Sequence, residues 1–159
     1  MNTTTRRDIP RFKTPIVETH CHLDYLEADA LGEVLEASFE AGIERIITIS
    51  VSADNLDTVR EIADSHDAIW CTQGIHPHEA DSWTPDLGER VAQGSQHTRV
   101  VAIGEIGLDY YYEHADRSAQ LQAFDAQLDL AARQNLPVVI HTREADDDTR
   151  AILTNHSNS

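Results

Sequence analysis

Short apolar runs rich in β-branched residues alternate along this chain with longer stretches that repeat apolar residues at helical spacing. The runs are Ile16–Thr19, Arg45–Ser50 (RIITIS), Ile69–Ile75, Val100–Ile103 (VVAI) and Pro137–His141 (PVVIH). After them come helical patterns at Leu31–Ala41, Asp54–His66, Leu87–Gln96, Asp116–Asn135 and Glu144–Leu153. A run that is apolar on both faces must be covered on both faces, and a helix after each run supplies the cover. The alternation therefore predicts βα units around a parallel sheet, an α/β fold. Gly42 is expected to cap the first helix, and Asp146-Asp147-Asp148 to be a solvated start of the last, favoured by its dipole.

Composition narrows the function classes. The 159 residues carry 28 acidic and 12 basic side chains, a formal net charge of −16, and Lys13 is the single lysine. Such a charge does not draw DNA from a distance, so a nucleic-acid substrate has to be held locally, by metal and a few arginines. An acidic surface suits a high-salt cytoplasm, where the Debye length is about 3 Å at 1 M, and equally an acidic protein from a GC-rich genome. No run reaches the roughly 18 apolar residues of a membrane span. The start, MNTTTRRDIPRFKTP, has no apolar h-region, so it reads as a polar lead-in over residues 1–14 rather than a secretory signal. Cys21 and Cys71 lack CxxC spacing, which suggests reduced thiols in a cytoplasm. There is no GxGxxG and no P-loop pattern. One domain over residues 15–154 and a polar tail at 155–159 complete the expected organisation.

Ligand-type residues gather at the C-terminal ends of the expected strands. The first ends in Thr19-His20-Cys21-His22, and side-chain alternation puts His20 and His22 on one face. Two imidazoles so placed can share a divalent cation. Glu105 follows the fourth run between two glycine-containing pairs, where a carboxylate is costly to bury without a partner. His141 ends the fifth run, and His76 and His78 follow the third. Each alone is equally an ordinary strand-end residue, but together they mark the end of a parallel α/β barrel where active groups sit.

Four segments, ETHCHLD, GIHPHE, AIGEIGLDYYY and LPVVIHTREA, occur in order, and together they resemble the motifs of the TatD family of metal-dependent deoxyribonucleases, within the wider amidohydrolase-like group. The resemblance spans about residues 16–153, with Glu18 where an aspartate is more usual. It implies a distorted (β/α)8 TIM-type barrel, of which this chain supplies about five units of eight. It implies His20, His22, Glu105 and His141 as metal ligands, with Glu105 catalytic and bridging two divalent ions (Mg, Mn or Zn). The implied chemistry is hydrolysis of DNA or RNA ends by metal-activated water. His76, His78 and Arg143 are candidates to hold substrate phosphate, and Tyr110, Tyr111 and Tyr112 to stack on bases or pack the rim. The family's strand-six His-Cys-Phe type motif and strand-eight Glu-Thr-Asp motif have no counterpart here. A closed barrel takes about 250 residues, so the chain is expected to be truncated, weakly active or inactive, and inclined to self-associate through exposed sheet edges. A metal-dependent ester or amide hydrolase and a non-catalytic fragment are the alternatives.

Overall fold

The computed structural model describes residues 12–156. Five strands, β1 (Ile16–Cys21), β2 (Ile43–Thr48), β3 (Ile69–Gln73), β4 (Val100–Asp109) and β5 (Val138–Arg143), form one sheet in the order β1-β2-β3-β4-β5. Every pairing is parallel. The helices are α1 (Ala28–Ala41), α2 (Leu56–Ser65), α3 (Pro85–Gly94), α4 (Arg117–Gln134) and α5 (Asp146–His156), one after each strand. The parallel βα order is what the alternation predicts, and the half-barrel it forms is what the resemblance implies. Among the described residues, β1 and β5 each have one strand neighbour.

The core lies between the sheet and its helices. Phe124, Leu128 and Ala131 of α4 pack with Ile103, Ile106 and Leu108 of β4, and Val59 and Ala63 of α2 pack with Ile69 and Cys71 of β3. Gly42 ends α1 in the left-handed region at φ 105°, as expected of a helix cap. Thr84 caps α3 by accepting the Leu87 N–H at 3.1 Å, and Pro85 takes the first helical position, so this helix starts before the expected Leu87. Asp146-Asp147-Asp148 occupies the first turn of α5, where carboxylates oppose the positive end of the dipole.

All five strand ends differ from expectation: β1 and β5 run two residues further and β2 stops two earlier, while the differences at β3 and β4 shape the site. The third run was expected to reach Ile75, yet β3 ends at Gln73. The main chain of Ile75 pairs with a side chain instead: Gln127 of α4 accepts its N–H at 2.8 Å and donates to its carbonyl at 3.1 Å. The fourth run was expected to stop at Ile103, yet β4 continues to Asp109, with a register irregularity against β5 between Ile103 and Ile106. Gly107 makes the close approach to β5 workable, since a Cβ there would lie 1.9 Å from the His141 carbonyl oxygen and its φ is 138°. β4 also has neighbours on both sides, so its residues from Ala102 to Asp109 are all buried. Of the expected lead-in, residues 1–11 lie outside the described residues; the Phe12 N–H donates to the Ala41 carbonyl at 3.2 Å. α5 runs to His156, and residues 157–159 of the expected tail also lie outside the described residues.

Candidate metal centre

The C-terminal ends of β1, β3, β4 and β5 bring the sequence-predicted residues to one cleft of about 290 Å³, lined by His22, His76, His78, Glu105, His141 and Arg143 among others. His20 joins them through Glu105, its Nε2 standing 3.4 Å from Oε2. Among the described residues, no ligating cluster lines a larger cleft of about 420 Å³ beside Thr142 and Leu153.

On β1, Glu18 accepts the His20 N–H at 3.0 Å, so the aspartate-to-glutamate departure supports the backbone of the first histidine. The His22 Nδ1 lies 3.3 Å from the Ile49 carbonyl, an acceptor, which places the proton on Nδ1 and leaves Nε2 with the lone pair in the neutral ring. Tyr25 stacks on this ring at 5.0 Å and 15°.

Glu105 is held from below: its N–H donates to the Ser50 carbonyl at 2.9 Å. Its carboxylate has one oxygen toward each side, Oε2 toward His20 and Oε1 toward His141 Nδ1 at 3.2 Å. Burial works to raise its pKa, but the His141 hydrogen bond and the electrostatic influence of the surrounding imidazoles outweigh that, and the carboxyl titrates below its ordinary value. His141 shifts upward, chiefly through its bond to Glu105, against the opposing effect of burial.

Among the described residues, two sets of donor atoms each lie within 4.8 Å of one another: His20, His22 and Glu105 form one, and His76, Glu105 and His141 the other. Glu105 belongs to both. His76 is a different kind of member, because its Nδ1 accepts the His78 backbone N–H at 3.1 Å. Its neutral ring therefore carries the proton on Nε2, and burial pushes its pKa down to about 4, so it stays neutral. The ring is thereby set up as a hydrogen-bond donor. Arg143 is exposed, with its guanidinium 4.2 Å from the Tyr111 ring centre and 4.6 Å from that of Tyr112. These tyrosines are more than half exposed or close to it, and Tyr110 instead hydrogen-bonds Asp148 at 2.6 Å.

One central residue was missed by the sequence reading. Asp109 is wholly buried, and its Oδ2 accepts from His78 Nε2 and His141 Nε2, both at 2.9 Å. Its Oδ1 accepts the N–H groups of Tyr111 at 3.0 Å and Tyr112 at 2.9 Å. Burial raises its pKa, but these four donors override the effect and hold it well below the usual carboxylate range. The signal was available: once the strand is carried past Ile103, the alternation of faces puts Asp109 on the side of Glu105.

The family model described as TatD related DNase matches residues 17–159. The chain is 34% identical over 139 residues to an uncharacterized metal-dependent hydrolase, YabD, of Bacillus subtilis, covering 87% of this chain and 54% of that protein. It is 37% identical over 122 residues to the 3'-5' ssDNA/RNA exonuclease TatD of Pantoea ananatis, covering 76% of this chain and 47% of that one. Among solved structures, the TatD homolog YJJV of Escherichia coli superposes with a TM-score of 0.81 at 31% identity, over 88% of this chain and 55% of its own. A TatD family hydrolase of Entamoeba histolytica shares the fold, with a TM-score of 0.82 at 21% identity, over 95% of this chain and 56% of its own. The chain thus spans about half the length of the curated relatives it matches.

Proposed function

Because the chain belongs to the TatD family, we propose that it carries the metal-binding face of a hydrolase that cleaves phosphodiesters at the ends of single-stranded DNA or RNA. The observation that carries this reading is the Glu105 carboxylate, with Oε2 3.4 Å from His20 Nε2 and Oε1 3.2 Å from His141 Nδ1. One carboxylate facing two sets of imidazole donors fits a pair of divalent cations, with His20 and His22 on one side and His141 on the other. Imidazole and carboxylate together suit Zn²⁺ or Mn²⁺, and Mg²⁺ through the carboxylate. Bound there, the cations supply Lewis acidity that acidifies water and offsets charge on the phosphoryl group.

The chain's own residues do the rest. Glu105 holds the two donor sets in register and is the catalytic carboxylate. His76, neutral with its proton on Nε2, donates to a phosphate oxygen and is not a ligand, although its atoms lie within reach of the second donor group. Arg143 offers a guanidinium fork to the next phosphate, and the exposed faces of Tyr111 and Tyr112 give bases a stacking surface. His78 orients the cleft through its main chain and its bond to Asp109. Two further properties belong to this proposal. The outer strands β1 and β5 invite pairing between copies, which the net charge of −16 opposes at low salt. The free thiols of Cys21 and Cys71 suit the cytoplasm.

The test is an end-labelled single-stranded DNA or RNA oligonucleotide incubated with high concentrations of the chain. Stepwise shortening that needs Mg²⁺ or Mn²⁺ and stops with a chelator is the expected result. Hydrolysis of carboxyl esters with the oligonucleotide left intact would replace the nucleic-acid substrate by an ester or amide.

A further inference from the structure

We propose that Asp109 is a positioning residue that dictates which nitrogen His141 offers to a cation. The inference rests on the metal-site reading above and adds to it a carboxylate that touches neither cation nor substrate.

An ionised carboxylate only accepts hydrogen bonds. His141 Nε2 and His78 Nε2 both lie 2.9 Å from Asp109 Oδ2, so both nitrogens carry protons while these bonds last. A neutral His141 then has its lone pair on Nδ1, the atom 3.2 Å from Glu105 Oε1. The nitrogen and the carboxylate oxygen so aligned face the same space, where a cation binds both. The reverse tautomer would point the lone pair of Nε2 at a buried carboxylate and leave Nδ1–H facing the cation.

Asp109 is itself fixed at both ends. Its backbone N–H donates to Gln120 Oε1 at 2.8 Å, and its carbonyl accepts from Gln120 Nε2 at 3.0 Å. The second oxygen, Oδ1, is taken up by the N–H groups of Tyr111 and Tyr112. The side chain therefore has two separable duties: Oδ1 shapes the 110–112 turn, and Oδ2 sets the two imidazoles. A carboxylate behind a ligating histidine fixes ring orientation and raises ligand basicity, and loss of such a partner typically costs roughly 10–100-fold in metal affinity.

Asp109→Asn separates the duties. The amide keeps Oδ1 for the two tyrosine N–H groups and replaces Oδ2 by an NH2 donor facing two ring nitrogens. Calorimetric titration of the full chain with Zn²⁺ alone is expected to show affinity lowered by roughly 10–100-fold. Equal affinity in Asp109→Asn and wild type would mean that Asp109 shapes the turn and nothing more, and would overturn the proposal. Long-range proton–nitrogen NMR of the Zn²⁺-loaded wild type decides the matter without any variant, should Asp109→Asn fail to fold. His141 metallated at Nδ1 with a protonated Nε2 is expected, and metallation at Nε2 overturns the assignment while leaving the metal site intact. Absence of Zn²⁺ uptake by the wild type overturns the metal-site reading itself, and this inference with it.

Discussion

The end of β4 and the end of β1 both supply candidate ligands, but they hold them in different ways. β4 lies between β3 and β5, and Glu105 and Asp109 at its end are buried and hydrogen-bonded to Ser50, Gln120, His78 and His141. Among the described residues β1 has one strand neighbour, none of its residues is buried, Val17 is 50% exposed, and the His20 side chain is 41% exposed. His22 is steadied by one carbonyl, the exposed Tyr25 ring and an edge contact with the His20 ring. An inner strand fixes a ligand through main-chain and side-chain bonds on both flanks, whereas an outer strand leaves it to local contacts. The β4 wall, with His141 of β5 tied to it through Glu105 and Asp109, is thus preorganised and the β1 wall is adjustable.

The largest expected effect tests the shared carboxylate. Glu105→Gln keeps the shape of the side chain and removes the charge that both donor groups share. Its Zn²⁺ or Mn²⁺ affinity should fall by more than the roughly 10–100-fold typical of losing an outer partner, read by calorimetry. The double variant His20→Ala with His22→Ala should fall less, within that roughly 10–100-fold range, because the Glu105–His141 wall persists. A double variant as damaged as Glu105→Gln would show the two walls to be equally organised, and one that titrates like wild type would remove β1 from the site.

How far the sequence revealed this follows the same division. The βα order, the parallel sheet and the C-terminal clustering of His20, His22, His76, His78, Glu105, His141 and Arg143 were legible, because strand alternation and apolar runs encode them directly. Asp109 was not, because glycines at 104 and 107 disguise the continuation of β4 as a turn, and backbone freedom at Gly107 is visible only against the β5 carbonyl it approaches. The roles of Gln120 and Gln127 were hidden for a related reason. Both sit on the buried side of α4, where an apolar stripe was expected, and their amides serve main-chain groups of Asp109 and Ile75 distant in sequence. Nothing in local periodicity tells a buried amide with such partners from a solvated one.

Gln127 therefore gives the next prediction, on stability rather than binding. Gln127→Leu fits the surrounding core but strands the Ile75 N–H and carbonyl without partners. A buried polar group left unpaired costs about 1–3 kcal/mol, part of it offset here by the added apolar surface. Urea unfolding followed by circular dichroism should show the loss. Since His76 adjoins Ile75, the preorganised wall should loosen with it; an unchanged midpoint would show that water replaces the amide.

The smallest expected effect lies at Tyr25, and it bears on the adjustable wall directly. Its ring stacks on His22 at 5.0 Å, and the residue is 67% exposed. Aromatic pairs add about 0.5–1.5 kcal/mol beyond their area burial, and exposure puts this one at the low end. The orientation of His22 does not depend on Tyr25 alone, because Nδ1 also donates to the Ile49 carbonyl at 3.3 Å. Tyr25→Leu keeps an apolar cover over the ring and removes the stacking. Cation affinity should then change by about threefold or less, which corresponds to about 0.7 kcal/mol when tenfold is 1.4. A tenfold or greater loss in the same calorimetric titration would mean that stacking, not the strand, organises the β1 ligands. The contrast between the two walls would then be one of means, an aromatic clamp on one side and a hydrogen-bonded strand on the other, and no longer one of rigidity.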